Sequence, residues 1–208
     1  MKPAIPKVTV QRLPVYLRCL EDLPAGQASV SSDELAAMAG VNAAKVRKDL
    51  SYLGSYGVRG VGYDVARLVL QIGLELGLER DWAVVIIGVG NLGRALANYE
   101  GFGERRFRVV GLFDIDPGKV GQAVDGLVVE PMSRLAAAVV ERGARIGIVT
   151  TPASAAQHVA DQLTAAGVRS ILNFAPIVIK PQDGIDIRRV DLSTELQVLS
   201  FYLHRNGE

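Results

Sequence analysis

Residues 82–93 read WAVVIIGVGNLG, and residues 94–114 continue RALANYEGFGERRFRVVGLFD. Gly88, Gly90 and Gly93 take the G-x-G-x-x-G spacing directly after a β-branched run. A helical stretch follows, then a second apolar strand ending in Asp114. The glycine spacing alone is a weak signal. With a strand before it, a helix after it and an acid about 20 residues on, it is the fingerprint of a dinucleotide-binding βαβ unit. Gly88 makes the tight turn, Gly90 lets a pyrophosphate approach the backbone, and Gly93 lets helix and strand pack closely. The segment Gly88-Val89-Gly90-Asn91-Leu92-Gly93 is the expected phosphate cradle, because the helix from Asn91 directs free N–H groups at it. Asp114 is placed to accept hydrogen bonds from the adenosine ribose, with Asp116 a lesser candidate. A carboxylate there repels a 2′-phosphate, which favours NADH and NAD+ over their phosphorylated forms.

Downstream, apolar runs and helical periods alternate as in an open parallel sheet. Strands are expected at 82–87, 108–114, 127–129, 145–150, 169–173 and 185–190, and helices at 91–99, 132–142 and 153–166. Thr150-Thr151-Pro152 and Asn173-Phe174-Ala175-Pro176 follow two of these strands at the carboxyl edge, where such sheets bind ligands. Thr150, Thr151, Pro152 and Asn173 are therefore candidate contacts to the nicotinamide half. They also suit plain loops, since Pro stops strands and Asn fits turns.

Roughly 80 residues precede this unit, and they read differently. Leu13, Tyr16, Leu17, Leu20 and Leu23 fall on one helical face, ended by Pro24-Ala25-Gly26. Ser31 and Glu34 have capping-box spacing, in which the serine takes a free N–H and the glutamate reaches back. A short helix follows with Leu35, Ala36 and Ala39 inward. Gly40 supplies a turn that needs positive φ, and Asn42 caps the next helix. That helix buries Val46, Leu50 and Leu53 and leaves Lys45, Arg47, Lys48 and Ser51 outward. A helix, a short glycine turn and a helix with a basic face make a helix-turn-helix, whose second helix suits the DNA major groove. From Val41 to Gly62 the cations Lys45, Arg47, Lys48 and Arg59 face Asp49 alone. The run GSYGVRGVGYD (54–64) alternates glycine with aromatic and β-branched residues. It reads as a short hairpin wing with Arg59 near its tip, suited to a narrow minor groove. Asp64 then caps a helix through Val65, Leu68, Val69, Ile72 and Leu76, closed by Gly77.

The bulk figures fit this division. The chain has 208 residues, 49% hydrophobic, and a net charge of +1, with a mean hydropathy of +0.23. No apolar run approaches the roughly 18 residues of a membrane span, and the N-terminus lacks the apolar region of a signal peptide. A soluble, cytoplasmic protein with no membrane partner is expected. Cys19 allows no internal disulfide and falls in the apolar pattern of the first helix. His158 and His204 are poorly placed for proton transfer beside a hydride site. The chain has no substrate domain and no H-E-x-x-H, C-x-x-C or G-x-S-x-G, so neither catalytic nor metal residues are assigned. This pattern suggests a sensor rather than an enzyme. A small NAD-dependent oxidoreductase, a DNA-binding regulator sensing a CoA derivative and a purely structural interaction module are the alternatives.

Residues 191–205 read DLSTELQVLSFYLHR. Leu192, Leu196, Leu199 and Leu203 form a stripe that Val198, Phe201 and Tyr202 widen. That face exceeds what one surface helix usually buries, and it suggests a dimer contact or an exchange of helices.

VRKDLSYLGSYGVRGVGYD (46–64), IGVGNLGRALANYEGF (87–102), FDIDPGKVG (113–121) and ILNFAP (171–176) resemble the Rex family of redox-sensing transcriptional repressors over nearly the whole chain. The resemblance implies a bacterial homodimer that binds palindromic double-stranded operator DNA when NADH is low. NADH closes the dimer and releases DNA, NAD+ competes weakly, and the C-terminal helix is exchanged between subunits. It further implies that Arg47 and Lys48 are recognition-helix contacts and Arg59 the wing contact. Ser51, Tyr52, Ser55 and Tyr56 would touch or support the DNA backbone. Arg18, Tyr99 and Asp191 would exchange partners between states. The implied fold is α/β: a winged helix-turn-helix domain (1–80), a Rossmann-like parallel-sheet NAD(H)-binding domain (81–190) and an exchanged C-terminal dimerisation helix (191–208).

Overall fold

The computed structural model describes residues 4–54, 57–58, 60–205 and 207. The chain forms two compact units, Met1–Arg80 and Asp81–Glu208. In the first, α1 (Lys7–Glu21), α2 (Ser32–Met38), α3 (Ala43–Tyr52) and α4 (Val65–Glu75) enclose one core. Leu13, Tyr16, Leu17 and Leu20 of α1 pack there with Leu35, Val46, Leu50, Leu68 and Ile72. Each of three helices starts at a side-chain cap. Ser31 Oγ accepts from the Glu34 N–H at 3.0 Å, Asn42 Oδ1 from the Lys45 N–H at 2.9 Å, and Asp64 Oδ1 from the Arg67 N–H at 2.7 Å. Such caps satisfy N–H groups that the helix itself leaves open, each worth about 1 kcal/mol. The expected back-reach of Glu34 takes another form, since its carboxylate accepts from Gln27 Nε2 at 2.7 Å.

The wing differs from a simple hairpin. Val58 and Gly62 form an isolated bridge, but Tyr63–Asp64 (β2) pairs with Ser29–Val30 (β1). The returning strand thus finds its partner before α2, because burying Val30 and Tyr63 in the core rewards that longer-range pairing.

The second unit is a seven-stranded sheet in the order β5-β6-β4-β3-β7-β8-β9. Its strands are β3 (Trp82–Ile87), β4 (Phe107–Asp114), β5 (Ala123–Val124), β6 (Leu127–Pro131), β7 (Ile146–Val149), β8 (Ser170–Asn173) and β9 (Asp186–Arg189). All neighbours are parallel except β5 against β6. The antiparallel edge strand β5 adds to the six expected strands. In β3 successive residues serve opposite faces, which is why it reads as an unbroken apolar run. Val85 and Ile87 join the core beneath α7 (Leu135–Glu141) and α8 (Ala153–Ala165). Val84 and Ile86 join the core beneath α5 (Asn91–Ala97) and α6 (Glu100–Glu104).

Two expected helices are interrupted. The helix expected over 91–99 ends at Ala97 and resumes as α6 at Glu100. Asn98 Nδ2 donates to the Arg94 carbonyl at 2.7 Å, competing with the next turn. The helix expected over 132–142 opens as a 3-10 turn, Met132–Arg134, after Pro131. The last helix, α9 (Leu192–Arg205), has no buried residue.

The chain order reverses between β3 and β7, which lie side by side. Their carboxyl ends make the crevice where open sheets of this kind bind ligands.

Candidate dinucleotide and DNA sites

The glycine-rich loop closes that crevice. Gly88 has φ +97°, and a Cβ there would lie 2.9 Å from the Thr150 carbonyl. A Cβ on Gly93 would lie 2.0 Å from the Gly88 oxygen, so only hydrogen fits between helix and loop. Gly90 differs, because a Cβ there meets nothing within 4 Å. Its absent side chain leaves open space above the backbone, as an approaching pyrophosphate requires. Asn91 and Leu92, at the start of α5, are exposed beside it.

The neighbouring candidates divide by whether their polar atoms are already engaged. The Val89 side chain is buried, and its N–H donates to Asp114 Oδ2 at 2.7 Å, so that amide is turned from any phosphate. Thr150 Oγ1 lies 2.6 Å from the Gly88 carbonyl and 3.0 Å from that of Ile87, which makes it a tie between two loops. Asn173 is 1% exposed. Its Nδ2 donates to the Ile177 carbonyl at 2.8 Å, and its Oδ1 accepts from the Ala175 N–H at 2.9 Å. That side chain staples its own loop at the carboxyl edge of β8. Pro152 is exposed and precedes α8 without an N–H to offer. Thr151 Oγ1 is the exception: it is buried with no partner among the described residues. Its Cγ2 adjoins Gly88. A buried hydroxyl is costly to leave unpaired, which sets this one beside the glycine cradle apart from its neighbours. The open space at Gly90 and this orphan hydroxyl fit a dinucleotide.

Asp114 ends β4 at 5% exposure. Burial works to raise its pKa. Hydrogen bonds from the Asp116 N–H, from Lys119 and from the Val89 N–H outweigh that and hold it below the usual carboxylate range. It is therefore an anion at neutral pH. The spacing did not reveal Lys119 as its partner. Among the described residues no group of His, Cys, Asp and Glu could hold a metal ion.

On the first unit, Lys45, Arg47, Lys48 and Ser51 are exposed along α3, and Tyr52 is half-buried. Arg47 Nη1 donates to Ser32 Oγ at 2.8 Å, while Ser51 Oγ donates to its own helix at the Lys48 carbonyl. Ser55, Tyr56 and Arg59 lie outside the described residues. Asp49 is the correction here. It does not offset the surface cations, because it is 1% exposed and faces α1. Thr9 Oγ1 donates to its Oδ1 at 2.8 Å, and Tyr16 Oη to its Oδ2 at 2.8 Å. Arg12 donates bidentately at 2.6 and 2.8 Å. The basic helix α3 is thus keyed to α1 by one carboxylate.

Of the three expected switch residues, Arg18 is exposed on α1. Tyr99 is 56% exposed and stacks edge-on against Phe102. Asp191 accepts from the Ser193 N–H and hydroxyl and from Arg189, which caps the start of α9. Burial, then the neighbouring Asp22, pushes the Cys19 thiol up, away from a reactive thiolate.

Residues 79–177 match the family model described as CoA binding domain, and residues 4–51 match that described as putative DNA-binding protein N-terminus. A redox-sensing transcriptional repressor Rex of Streptomyces coelicolor is 58% identical over 204 residues, 98% of this chain and 79% of that protein. Rex 1 of Thermotoga maritima is 44% identical over 209 residues and covers all of both chains. A solved Rex-family repressor, RSP, superposes with a TM-score of 0.90 at 35% identity, covering 99% of this chain and 96% of that one. The same repressor has been solved with β-NAD+ and operator DNA (TM-score 0.90) and with β-NADH (TM-score 0.87).

Proposed function

The chain belongs to the Rex family of redox-sensing transcriptional repressors, and we propose that its α3 face binds operator DNA while its glycine-rich loop senses NADH. The observation that carries this is the union in one chain of an exposed basic helix-turn-helix and an acid-tipped glycine cradle. Lys45, Arg47 and Lys48 meet the DNA, with Ser51 and Tyr52 beside them and Ser55, Tyr56 and Arg59 in the wing. Gly88 to Gly93, Asp114 and Thr151 hold the dinucleotide, and Thr150, Pro152 and Asn173 shape the crevice. The dinucleotide supplies a redox signal, with NAD+ the weaker ligand. Arg18, Tyr99 and Asp191 change partners between the two states. The domain assignment follows: 1–80 for DNA, 81–190 for NAD(H), 191–208 for dimerisation. A repressor of this kind works in the cytoplasm, where its operators lie, and no described helix is long and apolar enough to cross a membrane.

The energetics are those of linkage. The loop must hold NADH better in the DNA-free arrangement, and α3 must do the reverse for DNA. Moving the population from mostly one state to mostly the other takes roughly 10⁴-fold differential affinity, about 5.5 kcal/mol, which two sites per dimer share. A CoA derivative is disfavoured by Asp114, since CoA carries a phosphate on the ribose that this anion would face.

Exchange of α9 in a homodimer is supported by two unpartnered apolar surfaces. Leu192, Leu196, Leu199 and Leu203 are all more than half exposed. A groove of about 370 Å³ on the sheet is lined by Val84, Phe102, Phe107, Ile146, Ile148 and Leu172. Leu199→Asp yields a monomer by sedimentation velocity and loses operator binding, because helix-turn-helix half-sites demand a twofold partner. A dimeric Leu199→Asp with normal operator affinity would remove α9 from the interface.

The deciding experiment is fluorescence anisotropy on a palindromic operator selected from random duplexes, at fixed salt. NADH releases the DNA, and NAD+ does so only at far higher concentration. Asp114→Ala keeps operator affinity and loses the NADH response. Firm DNA binding indifferent to both nucleotides would sink the redox-sensing reading.

A further inference from the structure

Arg12 lies outside the basic stretch of α3, on α1, and its guanidinium is fixed. Nε donates to Asp49 Oδ2 at 2.6 Å and Nη2 to Asp49 Oδ1 at 2.8 Å. Two bonds to one carboxylate set both the position and the plane of the group. A guanidinium has five N–H donors in a rigid fork. These bonds use two, and among the described residues the other three meet no acceptor. Nη1 and the second N–H of Nη2 make an unused fork on the adjoining edge.

The carboxylate that holds Arg12 has nothing left to give a ligand. Oδ1 accepts from Thr9 and Arg12, and Oδ2 from Tyr16 and Arg12. That fills the roughly four acceptor positions of an ionised carboxyl. The Asp49 side chain is 2% exposed and that of Arg12 28%, so the acid is sealed and the cation is its solvent end. Asp49 sits at the margin of the buried stripe formed by Val46 and Leu50. Lys45, one turn earlier on the same face, is exposed, and Tyr52, three residues later, is half-buried. The guanidinium over Asp49 therefore borders the exposed basic face of α3 on its Lys45 side.

We propose that Arg12 is a DNA-backbone contact: its unused fork takes the two free oxygens of one phosphodiester beside the groove that α3 enters. The proposal rests on the operator-binding reading above and adds to it a phosphate site on α1. A fork set before the DNA arrives gives up little rotamer freedom on binding. A contact of this kind fixes the register of α3 without reading a base.

The test uses the full-length protein and the selected palindromic operator, with its phosphates replaced one at a time by uncharged methylphosphonates. Fluorescence anisotropy at fixed salt reads the affinity. In the wild type, replacing the phosphate that Arg12 holds weakens binding about tenfold, the scale of a charge-assisted hydrogen bond. Arg12→Met binds the unmodified operator about tenfold more weakly, and the penalty at that one phosphate disappears while the others stay. Arg12→Lys keeps a cation without the fork and restores part of that penalty. Removing an arginine that only props α3 would leave every penalty intact or lower several together, and either result overturns the proposal. Arg12→Met combined with Asp49→Asn removes both charges and carries the same comparison if the single variant does not fold. Wild-type protein that selects no duplex overturns the operator reading instead.

Discussion

Gly93→Ala abolishes NADH binding and lowers the melting temperature of the ligand-free protein. The new Cβ would lie 2.0 Å from the Gly88 oxygen and 3.1 Å from Thr150 Oγ1. The obstacle is backbone, and it is itself fixed: the Gly88 carbonyl takes the Thr150 bond, and its N–H donates to the Phe113 carbonyl at 2.8 Å. Overpacking of this sort costs about 1–3 kcal/mol even where neighbours yield, and here they yield only by opening the crevice. Gly90→Ala separates the two effects. Its φ of −83° suits any residue, and its Cβ meets nothing. Ligand-free stability stays within about 0.5 kcal/mol, yet NADH affinity falls tenfold or more as the methyl fills the approach path. Thermal shift and calorimetry read both quantities. A Gly90→Ala protein with wild-type NADH affinity would show that the pyrophosphate does not cross that residue.

Asp49→Ala unfolds or severely weakens the N-terminal unit. It strips the acceptor from Arg12, from the fully buried Tyr16 and from Thr9 at 2% exposure. Breaking a buried pair by removing one partner costs about 3–5 kcal/mol, a large share of the ~5–15 kcal/mol that holds a domain. The pH dependence has two limbs. Burial tends to raise the Asp49 pKa, but bonds from Arg12, Thr9 and Tyr16 hold it below its ordinary value. A depressed carboxyl stabilises above the unfolded pKa of about 4, and that contribution is lost as pH falls through the folded value. Burial and the bond to Asp49 push Tyr16 up to about 12. A raised phenol stabilises fully below about 10, and that contribution is lost as pH rises toward the folded value. Asp49→Asn, which keeps the shape without the charge, flattens the acid limb in chemical-denaturation profiles. An unchanged acid limb would remove Asp49 as its source.

The elements that sequence reasoning found are those encoded within a few residues. Ser31, Asn42 and Asp64 cap helices three residues away, and the glycine loop carries its strand and helix beside it. What it missed is long-range. Asp49 looks like an ordinary acid in a basic stretch, because its partners Thr9, Arg12 and Tyr16 sit a helix away in sequence. Tyr63–Asp64 pairs with Ser29–Val30, which no local turn announces. Thr150 and Thr151 are indistinguishable as letters, and only packing shows which hydroxyl is engaged. Lys119 follows Asp114 by five residues, but nothing in that interval says the chain doubles back to join them.

Every residue of α9 is exposed, and its internal supports are slight: the Asp191 cap, one edge-on ring contact and Arg205 over Phe201. An isolated helix of about that length is marginal in water. Ordering each residue costs about 1 kcal/mol in backbone entropy, and the helix's own chain buries nothing to offset it. Its amides therefore exchange with solvent hydrogen at a rate set by whatever covers the leucine stripe, while those of β3 and β4 keep the protection of the sheet. Were that cover a second copy of the chain, as proposed above, dilution would act as a denaturant confined to the last helix.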